Sequence, residues 1–517
     1  MTGMVRVGVD VGGTNTDAAL LRGSEVLATV KVATSADVAG GIAAAIRAVL
    51  AAARMAPRRV DGVMIGTTHL LNAVVERRDL SRVGSLRLCG RATRALPPMI
   101  DWPDDLRRRI DGGSSLVGGG LNYDGSPIAS LDRTGIRAAC RDWRARGIEA
   151  VAICSVFAMV DARMEIEAAA IVAEELPGAA ISLSHRIGRN GLLRRENATI
   201  LNASLMHIGR QMVGAFRAAF DGLGLGCPFY LTQNDGTLMS TDFAARFPVL
   251  TIASGPTNSM RGAAFLSGLS DAAVIDIGGT TTDIGMLVAG FPRSRGEGAV
   301  IGGVTTNFRL PDVHSFGLGG GSVVRTDGAL RIGPDSVGYR IRDEALCFGG
   351  QTLTATDIAV AAGIAAVGDP ALVRQLDDAL VGAATSRMRV AVAAVLDRMK
   401  PSADPIPVVL VGGGSVLVGE RLAGASQIVR PEHFGSANAI GAAVAQVSGE
   451  CERVVSLEGG TRGAAIEASV AEAKRRAVDA GAVEASITLA EIEETPLSYL
   501  PGNVVRIAAK VVGDLAA

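Results

Sequence analysis

Nine residues, Val-Asp-Val-Gly-Gly-Thr-Asn-Thr-Asp at 9–17, return almost unchanged as Ile-Asp-Ile-Gly-Gly-Thr-Thr-Thr-Asp at 275–283. Each copy follows an apolar strand-like run (Val5–Val9, Ala272–Ile275) and precedes another (Ala18–Leu21, Ile284–Val288). Strand–turn–strand excludes a Rossmann fingerprint, whose glycines join a strand to a helix. A repeat with one copy opening each half of the chain predicts a duplicated domain with a cleft between its lobes. Within each turn the paired glycines let the backbone take positive φ and approach a ligand closely. Consecutive amides there form an anion nest, and the hydroxyls of Thr14, Thr16, Thr280 and Thr282 add donors. The leading carboxylates, Asp10 and Asp276, repel phosphate and suit Mg²⁺, reached through water. Two such loops face to face would clamp a triphosphate and its metal from both sides.

Composition removes the competing solutions. Only Lys31, Lys400, Lys474 and Lys510 are present, so no G-K-[ST] exists and a P-loop is excluded. The 51 basic and 52 acidic residues leave a net charge of -1, without the basic footprint of a nucleic-acid binder. Hydrophobic residues at 48% against charged ones at 20% supply a core and exclude global disorder. The mean hydropathy of +0.32 comes from small residues, not from any run of roughly 18 uncharged apolar ones, so no transmembrane helix is expected. Asp10 interrupts any signal-peptide core, and the expected location is cytoplasmic. The six cysteines form no C-x-x-C pair and are expected as buried, reduced thiols.

Periodicity predicts strands at 5–10, 17–21, 25–33 and 60–65, with an Ala-rich helix over 37–55. After a Pro/Gly/Asp-rich stretch at 95–130, read as a surface excursion, helices over 132–146, 161–175 and 190–221 alternate with strands at 148–157 and 179–184. Two further glycine clusters follow, Gly317–Ser322 and Val408–Ser415. The last 65 or so residues read as one more unit, a helix near 463–480 with strands at 485–489 and 503–512.

The two hairpins with Val-Leu-Val-Gly-Gly-Gly-Ser at 409–415 resemble the phosphate and adenosine motifs of the acetate/sugar kinase–Hsp70–actin superfold. More narrowly, the chain is similar to the hydantoinase A/5-oxoprolinase family, which includes N-methylhydantoinase and acetone carboxylase ATP-binding subunits. The matching stretches are Gly8–Asp17, Gly66-Thr-Thr-His-Leu-Leu-Asn-Ala73, Arg195-Glu-Asn-Ala-Thr199 with Asn202-Ala203, Gln233-Asn-Asp-Gly236, Ser254-Gly-Pro256, Asp276–Asp283, Asp312–Ser322 and Pro496–Gly502. The resemblance implies an α/β fold, a two-lobed actin-like ATPase of duplicated ribonuclease H-like lobes with a small C-terminal α/β appendage. Lobe I would span 1–268, lobe II 269–449 with a helix returning to lobe I, and the appendage 450–517.

Carried over position by position, Asp10 and Asp276 hold Mg²⁺ and nucleotide. Gly12, Gly13, Thr14, Asn15, Gly278, Gly279, Thr280 and Thr281 cradle phosphates, backed by Gly319, Gly320 and Gly321. Gly412, Gly413, Gly414 and Ser415 sit against the adenosine. Asp17 and Asp283 either orient a nucleophile or brace their hairpins. Thr67, Thr68, Asn72, Arg195, Asn202 and Asn234 are the substrate-side candidates; Arg195 reads equally as an anion grip or as a solvated helical face. Leu71 stands where the family commonly has threonine, and Gln-Asn-Asp-Gly replaces Q-S-N-G-G, so the substrate side departs from the pattern. Asp312-x-His314 offers a divalent-metal site, a substrate-polarising imidazole or a histidine packed beside the loop; the expected cofactors are ATP and Mg²⁺, with a second divalent metal or K⁺. His69 is a cleft candidate, whereas His185, His207 and His433 have no sequence partners.

The implied reaction is ATP-dependent opening of a cyclic amide, a hydantoin, 5-oxoproline or lactam-like ring, by phosphorylation of its carbonyl. A hydantoinase B-type subunit is the expected partner, alone or with homo-oligomerisation, and neither nucleic acid nor membrane is. Two alternatives stay open: a small-molecule kinase of the same superfold, and an ATP-driven reactivase acting on a protein.

Overall fold

The computed structural model describes residues 3–12, 15–34, 37–187, 189, 191–295, 298–458, 460–498 and 500–516. In the first lobe, β1 (Val5–Val11) and β2 (Asn15–Arg22) form the first hairpin. β3 (Glu25–Ala33) pairs with the outer side of β2, and β4 (Gly62–Thr67) runs parallel to β1 on its other side. Alternate residues of β1 divide between two layers, as a pleated strand requires. Val7 and Val9 meet Ile42, Ile46 and Val49 of helix Val38–Ala52, while Gly8 faces helix Ala437–Ala443.

A second sheet is built from β5 (Val83–Leu88), β6 (Asp111–Val117), β7 (Ala150–Ser155) and β8 (Ala180–Leu183) in the parallel order β6-β5-β7-β8. Helices Arg133–Ala145 and Arg163–Glu175 pack on it. The 95–130 stretch is therefore not wholly a surface excursion: it supplies helix Asp104–Ile110 and the edge strand β6. Beyond the long helix Leu192–Gly222, β9 (Phe229–Thr232) lies parallel to β4, and β10 (Thr237–Ser240) folds back on it. Strands Gln446–Ser456, Val504–Gly513 and Thr488–Pro496 then extend this sheet to nine strands. The C-terminal α/β unit, with helix Arg462–Asp479, thus shares the sheet of lobe I, and the boundary expected at 450 falls inside a strand.

The second lobe repeats the core of the first. β11 (Ala272–Ile277) and β12 (Thr282–Val288) form the second hairpin; strand Ile406–Val411 runs parallel to β11, and Val313–Phe316 pairs with the outer side of β12. Helix Asp378–Met399 is long and apolar enough, by length and composition, to cross a membrane. Arg387 and Arg389 interrupt it, and Val381, Ala384, Met388, Val392 and Leu396 bury one face in this lobe's core.

Helices Ser254–Ser267 and Ala437–Ala443 link the lobes and cross in direct backbone contact. A Cβ on Gly262 would lie 1.9 Å from the Ala437 carbonyl oxygen, and one on Gly441 1.8 Å from that of Asn258. All six cysteines are unpaired and five are buried; burial pushes the thiols of Cys154 and Cys347 up to about 12.

Candidate active site

Each hairpin sets its two aspartates directly opposite one another: Asp10 pairs in register with Asp17, and Asp276 with Asp283. The turns close identically, Gly12 N–H donating to the Asn15 carbonyl at 3.0 Å and Gly278 N–H to that of Thr281 at 2.9 Å. Gly13 and Thr14 lie outside the described residues. Thr16 and Thr282, expected as phosphate donors, are buried braces instead: Thr16 bonds the Thr34 hydroxyl, and Thr282 donates to the Leu318 carbonyl.

The bridging helix Ser254–Ser267 joins the two sites. Asn258 Nδ2 donates to Asp10 at 3.3 Å, and the next residue, Ser259, donates through Oγ to Asp276 at 2.6 Å. Asn438, on the other bridging helix, donates to the second Asp10 oxygen at 3.3 Å. Burial pushes both carboxyls upward, Asp276 to about 7, opposed by the Ser259 hydroxyl and reinforced by the charges of Asp283 and Asp10. Burial also raises Asp17 and Asp283, each opposed by a residue on the third strand. Lys31 Nζ lies 2.5 and 2.6 Å from the two Asp17 oxygens, whereas the matching position beside Asp283 is Ser315, which donates its hydroxyl.

The raised Asp276 carries a pH prediction. If Asp276 holds the cation of a metal–nucleotide, as the repeat's resemblance implies, the carboxylate must be ionised, and MgADP affinity is expected to rise about tenfold per pH unit up to about 7 and to be flat above it. The folded chain retains a proton that the unfolded one releases, so this group's stability contribution is complete below the ordinary carboxylate range and is lost as pH rises through about 7. Titration calorimetry and thermal melts between pH 5 and 8.5, repeated on Asp276→Asn, check both slopes.

Around the acids lies a glycine cradle. Gly412 takes φ +80 beside Asp276, where a Cβ would meet a carboxylate oxygen at 2.2 Å. Gly279 and Gly413 face open space, and Thr281 and Asn15 stand at the hairpin tips. Gly414 N–H is tied to the Ile277 carbonyl at 2.7 Å, and Ser415 Oγ is buried with no hydrogen-bond partner among the described residues. Gly320 and Gly321 donate their amides to the Gly278 and Gly279 carbonyls, and Gly319 packs against Thr280. That loop shapes the second hairpin from behind.

The substrate-side candidates divide. Thr67 and Thr68 stand at the end of β4; Thr68 Oγ1 donates to the Val11 carbonyl at 3.4 Å, beside the first hairpin. Asn72 is exposed one helical turn away. Asn202 and Asn234 are interior struts, bonded to the Arg246 carbonyl and to Val249 and Ala253. Arg195 is neither anion grip nor solvated face. It is 1% exposed and donates to Ser184 Oγ at 3.0 Å and to the Ser155 carbonyl at 2.7 Å. We expect Arg195→Met to cost about 1–3 kcal/mol in denaturant melts, with substrate KM unchanged. Asp312 is likewise engaged: Arg293 reaches it at 2.7 Å and Arg295 at 3.6 Å, and no group of three metal-ligating side chains occurs among the described residues. A carboxylate already neutralised by two guanidiniums is a poor cation ligand, and His314 beside it has no acid partner among the described residues.

The residues that sequence reading missed are Lys31, Asn258, Ser259 and Asn438. Ser259 and Asn258 lie close behind the noted Ser-Gly-Pro motif, which was their one signal.

A sequence model of the hydantoinase/oxoprolinase N-terminal region matches residues 6–176, and one of hydantoinase/oxoprolinase matches 195–371. The caprolactamase subunit alpha of Pseudomonas jessenii is 27% identical over 391 residues, covering 70% of this chain and 55% of that protein. The acetophenone carboxylase gamma subunit of Aromatoleum aromaticum is 25% identical over 390 residues, covering 69% and 53%. Among solved structures, the ATP-dependent caprolactamase from Pseudomonas jessenii superposes with a TM-score of 0.79 at 20% identity, over 99% of this chain and 88% of that one. Nucleotide-free acetone carboxylase gives 0.70 at 19%, over 100% and 88%. These likenesses match the two-lobed architecture described above. The chain spans about half the length of the curated relatives it matches.

Proposed function

Because this chain belongs to the hydantoinase/oxoprolinase family, we propose that it is an ATP- and Mg²⁺-dependent enzyme that phosphorylates the carbonyl of a cyclic amide. The observation that carries this reading is the Asn258–Ser259 step, which ties one acid of each lobe to a single helical turn. The residues present fit a metal–nucleotide. Asn258 Oδ1 and Ser415 Oγ are buried polar atoms without partners among the described residues, and at Gly412 a Cβ would meet Asp276.

Asp10 and Asp276 would hold Mg²⁺, Gly12, Gly278 and Gly279 the phosphates, and Gly412–Ser415 the adenosine. When bound, Mg-ATP supplies a phosphoryl group for the ring oxygen, converting a resonance-stabilised amide into an electrophilic imidate-like phosphate. The chain's own residues contribute positioning and charge. Asn258, Ser259 and Asn438 fix the two carboxylates, and Lys31 offsets the negative charge of the first pair. Two of the curated relatives are named as subunits, which supports a separately encoded partner, proposed here as hydantoinase B-type.

The test is Mg-ATP turnover by the purified chain, with and without that partner, across hydantoin, 5-oxoproline and small lactams, with ADP and phosphate both quantified. Ring-dependent release of both products is expected. ADP without free phosphate would indicate a kinase, and no ring response with the partner present would overturn the reading.

A further inference from the structure

A cavity of about 700 Å³ lies in lobe I on the wall formed by Gln233 and Asn234, a volume within the range of small-molecule sites. These residues directly follow Thr232, whose hydroxyl accepts from the same Asn258 amide that bonds Asp10. One peptide unit and two hydrogen bonds therefore separate this wall from the first phosphate hairpin.

His185 lines the cavity, and it is held. Its Nδ1 lies 2.7 Å from Oε2 of Glu165, a carboxylate with no exposure that also accepts the amides of Ser155 at 2.7 Å and His185 at 3.1 Å and the Ser184 hydroxyl. A carboxylate only accepts, so Nδ1 carries a hydrogen; in the neutral tautomer of such a ring Nε2 is the acceptor. Nε2 has no hydrogen-bond partner among the described residues. Arg309 also lines the cavity; its Nε is buried without a hydrogen-bond acceptor among them, its tip pairs with Glu491, and Glu450 and Glu493 each lie 3.9 Å from its guanidinium. Phe243 and Phe247, with ring centroids 4.6 Å apart, and Leu250 supply an apolar wall.

We infer that this cavity binds a small neutral ring carrying an N–H beside a C=O, with His185 Nε2 taking the N–H and an arginine donor meeting the carbonyl. A ring holds its amide cis, so donor and acceptor lie on one edge and an acceptor and a donor in one pocket read them together. The inference rests on the proposed cyclic-amide chemistry and assigns the ring to this cavity, apart from the Thr67–Thr68 end of β4. Glu165 is a positioning residue, fixing which His185 nitrogen is free.

Calorimetry of the full chain saturated with MgADP, titrated with 2-pyrrolidone, hydantoin, 5-oxoproline and ε-caprolactam, tests this. At least one ring should bind; His185→Ala should weaken it about tenfold, and Ala508→Phe, which fills the cavity from the C-terminal strand, should abolish it. MgADP affinity should be unchanged in both, reporting an intact fold. If Ala508→Phe fails to fold, His185→Ala decides. Equal ring affinity, or equal ring-stimulated turnover and KM, in wild type and His185→Ala overturns the inference while leaving the proposed function standing. No ring binding and no ring-stimulated turnover in the wild type overturns both.

Discussion

Asp10→Ala and Asp276→Ala are each expected to lower Mg-ATP turnover on the order of 10²–10³-fold, the usual loss when a preorganised charge-handling group is removed. The two should behave alike although they sit in different lobes, since Asn258 and Ser259 tie both carboxylates to adjacent positions of one helix. Their protein-level consequences should differ from their chemical ones. Desolvation raises each acid above its ordinary range, so its removal relieves an unfavourable charge and the apo chain should melt no lower than wild type. Lost turnover with unchanged or raised thermal stability is the expected signature, read from steady-state kinetics and differential scanning fluorimetry. A variant that lost activity by unfolding would contradict it.

Gly441→Ala is expected to cost about 3 kcal/mol or more, at the upper end for overpacking, because the obstacle is a carbonyl oxygen and not a yielding side chain. The carbonyl belongs to Asn258, the residue that holds Asp10, so MgADP affinity should fall together with stability. Gly382→Ala is the control. That glycine is exposed inside helix Asp378–Met399 with nothing within 4 Å of its Cβ position, and the same substitution there should stabilise by about 0.5–1 kcal/mol. Denaturant melts of the pair, with opposite signs, separate the steric cost from any general effect of removing glycine.

The hairpins were legible in the sequence because their chemistry is local: two acids, two glycines and the threonines all lie within nine residues, twice. The helices at 132–146, 161–175 and 190–221 were legible from their apolar spacing, and they occur at Arg133–Ala145, Arg163–Glu175 and Leu192–Gly222. β6 was not, because Asp-Gly-Gly-Ser-Ser-Leu-Val has turn-like composition and becomes a strand only through its partner β5. Lys31, Asn258 and Asn438 were illegible for a different reason. Each acts on an acid in another element, 14, 248 and 428 positions away, and nothing in their own neighbourhoods marks them. Arg195 and Asn202 err the other way: a family-like motif was read as contact with ligand, whereas their hydrogen bonds hold the helix Leu192–Gly222 to its surroundings.

The third strand of each lobe bears on direction. Two identical clamps would grip a phosphate chain equally well from either end, because Gly12–Asn15 and Gly278–Thr281 close the same turn over the same kind of acid pair. One difference between the ends is the neighbour outside each hairpin, an ammonium at Lys31 and a hydroxyl at Ser315. A duplicated ancestor with matching third strands would have had no preferred orientation for an asymmetric ligand. The divergence of this pair of positions adds a difference of charge to the different partners that Asp10 and Asp276 already have, so the two ends of the repeat are no longer equivalent.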